Sequence, residues 1–122
     1  MSEFIVKVHG CRGSVPVSGA KFMRYGGATT CFEIEVSPTE RLLVDAGTGA
    51  MAIHDDVPNG EPLSFSILMT HLHWDHCLAL PFFKPLYHPD NQFTFYGRDV
   101  GGMDIEEAID RVMRPPWFPV NF

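Results

Sequence analysis

Cysteine is scarce here. Three of 122 residues carry a thiol, at Cys11, Cys31 and Cys77. An odd, widely spaced set with no signal-peptide pattern excludes a disulfide-stapled secreted scaffold, and a reducing cytoplasm is the compartment it predicts. No apolar run approaches the roughly 20 residues of a membrane span, so no membrane partner is expected. Positive charge is short as well. Nine Lys and Arg face fifteen Asp and Glu, a net charge of −6, and the basic residues are scattered. That argues against holding a long nucleic acid by counterion release, so nucleic acid is not an expected partner for this chain alone. A small phosphorylated substrate stays open, because bound metals can neutralise its charge locally. Internal repeats and low-complexity tracts are absent too, which leaves one small globular domain over residues 1–122.

Against that plain background one segment stands out. Thr70-His71-Leu72-His73-Trp74-Asp75-His76 puts three imidazoles and a carboxylate into six positions. Nitrogen and carboxylate donors suit Zn²⁺, and Mn²⁺ or Fe²⁺ are accepted by the same set. The i, i+2 step from His71 to His73 puts both rings on one side of an extended segment, and Asp75 and His76 follow where the chain must turn. The bland alternative is a polar loop whose histidines only hydrogen-bond backbone.

The segments around the cluster alternate as strands and loops. Strands are expected at Phe4 to Val8, Thr29 to Val36, Arg41 to Val44, Phe65 to Met69 and Gln92 to Tyr96. Glycine and proline mark Gly10 to Pro16 and Pro58 to Pro62 as loops. A short helix is expected over Ala50 to Asp56, another from Cys77 to Leu80, stopped by Pro81. Asp104 to Met113 reads as a capped helix with Ile105, Ala108, Ile109 and Val112 on its apolar face. The Phe82-Phe83 pair reads as core, and Trp74 as core packing or a pocket lip. The end from Pro115 to Phe122 is rich in proline yet apolar, which is odd for a solvated terminus.

Strand, His-x-His-x-Asp-His, then helix resembles the metallo-β-lactamase fold. Gly10 to Pro16, Arg24 to Cys31 and Leu43-Val44-Asp45-Ala46-Gly47-Thr48-Gly49 are similar to its phosphodiesterase-like branch, which includes tRNase Z and cyclic-nucleotide phosphodiesterases. The resemblance implies an α/β fold, a four-layer αββα sandwich, with two metals, taken as zinc. His71 and His73 would hold one ion, Asp75 and His76 the other, with a hydroxide between them. Ions roughly 3.5–4 Å apart can ionise water and stabilise an in-line displacement. Asp75 and Asp45 are then the expected catalytic carboxylates, Asp45 by orienting a ligand histidine.

Two departures from the family pattern stand out. Ala79 occupies a position where relatives usually carry glycine. The family's further ligands, a histidine, a bridging aspartate and another histidine, find no counterpart after His76, where His88 alone remains. The chain is therefore read as the N-terminal half of the domain, completed by a missing C-terminal half or by a homodimer partner.

Other candidates divide between site and scaffold. Arg12 is either a contact for a substrate phosphate or the anchor of a loop-bracing salt bridge. Cys77 is a soft extra ligand or a small buried hydrophobe. For His9 and His54 a structural or surface role is favoured. The functional expectation is a metal-dependent phosphodiesterase. The alternatives are a non-catalytic metal-binding module needing a second half, and a hydrolase of another ester, thioester or lactam.

Overall fold

The computed structural model describes residues 5–55 and 61–119, the side chains of His54 and Asp55 excepted. Phe4, Pro58 and the last three residues of the apolar end lie outside the described residues. Five strands form one mixed sheet in sequence order: β1 Val6–Gly10, β2 Cys31–Glu35, β3 Glu40–Val44, β4 Ser64–Leu68 and β5 Gln92–Tyr96. β1, β2 and β3 pair antiparallel, whereas β3, β4 and β5 pair parallel. The parallel steps need crossovers, and those supply the helical layer.

Thr48–Asp55 forms a 3₁₀ helix between β3 and β4. Between β4 and β5 run a helix α1 (Trp74–Cys77) and two 3₁₀ turns, Leu80–Phe82 and Lys84–Tyr87. A last helix, α2 (Ile105–Met113), is capped by the Asp104 carboxylate, which accepts from the Glu107 N–H at 2.8 Å. Among the described residues no helix is long and apolar enough to cross a membrane.

One face of the sheet is covered. Cys31, Leu43, Phe65 and Ile67 point into a core closed by Ala50 and Ile53 from the first crossover, Leu80 and Phe83 from the second, and Ile109 and Met113 from α2. Phe65 stacks on Phe93 at 5.0 Å between ring centroids and meets Phe83 edge-on at 5.6 Å. Such ring pairs each add about 0.5–1.5 kcal/mol beyond their buried area. The opposite face carries an apolar row in register, Val8, Phe32, Val44, Leu68 and Tyr96, and Val8, Leu68 and Tyr96 in it are exposed. The described residues thus form two layers, a mixed sheet and the helices on one side, which is an α/β fold.

Several local expectations need correction. The helix at the histidine cluster begins at Trp74, so Asp75 and His76 lie inside it and not ahead of it. The Ala50 helix begins at Thr48 and is 3₁₀. Phe83 is buried but Phe82 is exposed, because consecutive side chains in a 3₁₀ turn diverge by about 120°. Val112 is exposed on α2, and Met113 takes the inward position. Trp74 is 70% exposed, which removes it from the core.

Under β1 to β3 a buried carboxylate ties three strands together. Glu33 accepts from His9 Nε2 at 2.7 Å and pairs with Arg41 Nε at 3.1 Å, and both partners are largely buried. His9 therefore has a structural partner. Removing one member of such a set leaves the others buried without a counter-charge. Glu33→Ala should lower unfolding free energy by about 3 kcal/mol or more in urea titrations, whereas a loss under about 1 kcal/mol would show that water reaches His9 and Arg41.

Candidate metal centre

β3 and β4 are parallel neighbours, so their C-terminal ends release Asp45 and Thr70 side by side. Asp45 is almost fully buried and has φ +60, a left-handed backbone that few non-glycine residues adopt. Its amide donates to Leu68 O at 2.9 Å, which keeps the turn on the sheet edge. The carboxylate then collects donors from the cluster. Oδ1 accepts from the Thr70 N–H at 2.8 Å, and Oδ2 faces Thr70 Oγ1 at 2.8 Å and His76 Nδ1 at 2.7 Å.

Two tautomers follow from these contacts. A carboxylate only accepts, so His76 must carry its proton on Nδ1 and turn Nε2 outward. Thr70 Oγ1 also stands 3.1 Å from His71 Nδ1. With its single proton given to Asp45, the Thr70 hydroxyl accepts from His71 Nδ1–H, and the His71 Nε2 lone pair is left free as well. One buried carboxylate therefore orients two imidazoles, one directly and one through a threonine. Nothing in the histidine spacing announces the role of Thr70.

The rings gather closely. His71 lies 4.5 Å from His73 and 4.1 Å from His76 between centroids. His76 Nε2 and Asp75 Oδ2 stand 3.4 Å apart. For two ligands about 2.1 Å from a tetrahedral ion, roughly 3.4 Å is the expected separation. In the neutral imidazole the Nε2 lone pair and a carboxylate oxygen facing it at that distance fit a cation between them, so the donor chemistry suits a divalent metal. The arrangement is nevertheless pairwise. Among the described residues no group of three or more His, Cys, Asp or Glu side chains is placed to hold an ion. All four donors come from one short segment, Trp74 to His76 already within the helix α1.

Asp75 is held from the other side by the Gly10 to Pro16 loop. Ser14, the second non-glycine residue with positive φ among those described, donates its N–H to Asp75 Oδ2 at 2.8 Å. That bond, more than any other influence, holds the Asp75 carboxyl below the usual carboxylate range. Desolvation opposes it, and the Asp75 backbone amide, His76 and His73 assist. Arg12, on the same loop, donates from Nε to Val15 O at 3.0 Å, and its guanidinium lies over the Phe22 ring. It braces the loop through a carbonyl and an aromatic face.

Packing beneath the site is tight. A Cβ on Gly47 would stand 2.2 Å from the Asp75 carbonyl oxygen, so only glycine fits there. Ala79 is buried and donates its N–H to Ala46 O at 3.0 Å, joining the second crossover to the Asp45 turn. The Cys77 thiol donates to His73 O at 3.5 Å, and burial pushes its pKa up to about 11. It is a neutral core side chain at neutral pH. His88 ends the turn at Lys84–Tyr87 and takes the Asp90 N–H at 3.3 Å. A cavity of about 350 Å³ opens beside His71 and His73.

Substituting Asp45 by Ala frees both Nδ1 positions from this control. Long-range ¹H–¹⁵N spectra of the imidazoles should show His76 as the Nδ1–H form in the wild-type chain and mainly Nε2–H in Asp45→Ala. An unchanged His76 pattern would remove Asp45 from the tautomer argument.

Comparison with known proteins gives the family. The family model of the metallo-beta-lactamase superfamily matches residues 24–91. Uncharacterized proteins of Mycobacterium tuberculosis and Mycobacterium bovis are 33% identical over 91 residues, which are 69% of this chain and 28% of theirs. The chain thus spans little more than a quarter of the length of these relatives. No solved structure matches it. The matched stretch takes in β2 to β4, the Asp45 turn and all of His71 to His76, and on that ground the chain belongs to the metallo-beta-lactamase superfamily.

Proposed function

We propose that this chain carries the metal-binding part of a metal-dependent hydrolase, and that its substrate is a small phosphodiester. The superfamily is generally hydrolytic and commonly binds zinc or other divalent metals. The observation that carries the reading is the placement of His76 between two carboxylates, Nδ1 on Asp45 and Nε2 facing Asp75. His71, His73, Asp75 and His76 are the ligands, and Asp45 is a positioning residue.

A bound divalent ion supplies Lewis acidity and lowers the pKa of a nearby water. The protein groups do the rest. Asp45 and Thr70 keep the Nε2 lone pairs of His76 and His71 turned outward, while the Ser14 amide keeps Asp75 ionised and in place. Fixing ligands before the ion arrives removes part of the ordering cost of binding. The phosphodiester preference rests on the flanking loop segments, and the net charge of −6 with few, scattered basic residues favours a cyclic nucleotide over RNA. Cytoplasmic residence fits the same picture.

The pairwise arrangement of donors favours a second feature of this reading. Residues outside 1–122, or a second copy, complete the ligand set and cover the outer sheet face as in a four-layer sandwich. Alone, the chain is then a binding module without turnover.

Calorimetric titration of zinc into the chain should show binding that His71→Ala and His76→Ala abolish. Asp45→Asn should weaken it by about 10–100-fold, as expected for removal of a ligand's hydrogen-bond partner. Zinc affinity unchanged in all three variants would sink the reading. Hydrolysis of bis(p-nitrophenyl) phosphate, lost on EDTA treatment and restored by zinc, separates the enzyme from the module.

A further inference from the structure

The cavity beside His71 and His73 contains one cation that the mechanism leaves unused. Arg98 lines it together with Leu72, Val100 and Ile105. We propose that Arg98 grips the anionic group of the substrate and selects for small anions with an apolar body. The inference rests on the proposed hydrolase site and adds the substrate class to it.

The backbone under Arg98 is built in place. Tyr96 O accepts the Met69 N–H at 2.7 Å, which stitches the end of β5 to the end of β4. A Cβ on Gly97 would come within 2.8 Å of the Ile105 side chain, so the chain passes flush against the start of α2. Beyond Arg98, Val100 and Met103 exchange hydrogen bonds of 2.9 and 3.1 Å around Gly101 and Gly102, both with positive φ. Arg98 thus stands on a braced turn one strand over from the segment that delivers His71.

Its side chain has no visible structural duty. Arg41 is taken by Glu33, Arg111 by Glu107, Arg114 by Asp110, and Arg12 by Val15 O and Phe22. Arg98 is exposed and has no such partner among the described residues. With a net charge of −6 the chain repels anions as a whole, so a local fork is needed to hold one near the imidazoles. The cavity, about 350 Å³, is at the small end of ligand pockets. Its Leu72, Val100 and Ile105 wall accepts an apolar body between Arg98 and the histidines.

Inorganic phosphate is the probe, titrated calorimetrically into zinc-loaded chain and, separately, into EDTA-treated chain, with acetate as a second anion. Arg98→Ala should weaken phosphate binding about tenfold or more in both preparations, while zinc affinity stays within about twofold. Arg98→Lys should fall between, because an ammonium keeps charge without the fork. Acetate bound as tightly as phosphate supports the anion site and shows that it does not discriminate phosphate from carboxylate. Phosphate affinity unaltered in Arg98→Ala, or no phosphate binding by wild-type chain, overturns the proposal. If the wild-type chain takes up no zinc, the hydrolase reading falls. The EDTA arm then decides Arg98 alone, with a loss in Arg98→Ala supporting it and equality overturning it.

Discussion

The buried carboxylate of Asp45 is the constraint on which the rest of the site depends. It sits at the seam between β3 and β4 in a left-handed conformation, and its two oxygens answer the Thr70 amide, the Thr70 hydroxyl and His76 Nδ1. Burying an anion is costly unless every lone pair has a donor. Here the donors are Thr70 and His76, which lie in the segment that the proposed ion site needs aligned. The scaffold therefore holds this charge by ordering the histidine segment, and in the proposed reading stability and function meet in one side chain.

A second hold comes from a loop distant in sequence. Ser14 reaches Asp75 with its backbone amide, so the ligand segment is pinned from below by Asp45 and from the flank by Ser14. Both pinning residues carry positive φ. Backbone of this kind costs about 1–3 kcal/mol per residue and persists only where its surroundings enforce it. Its concentration at this one place fits a site held in readiness by the sheet edge.

Much of this was legible in the sequence, for identifiable reasons. β5 follows strict alternation, so its bounds are read directly from Gln92 to Tyr96. Asp104 announces α2 because a cap is a local event. The gathering of His71, His73, Asp75 and His76 rests on short-range geometry within one segment. Less was legible where the partner is remote. No spacing rule pairs Ser14 with Asp75, or Thr70 with both Asp45 and His71. Phe82 looked like core because hydrophobicity gives no direction inside a 3₁₀ turn. Arg98 was hidden for a similar reason, since only the pairing of β4 with β5 brings it beside the histidines.

Gly47 has a meaning beyond packing. Its missing side chain is filled by the Asp75 carbonyl and by Thr29 and Thr30, groups that belong to the scaffold and take no part in binding an ion. Selection on shape and selection on chemistry thus act on different letters of the same motif. A relative with no ion at this place would be free to vary at the histidines, yet the Asp75 carbonyl would still leave room only for glycine at this position.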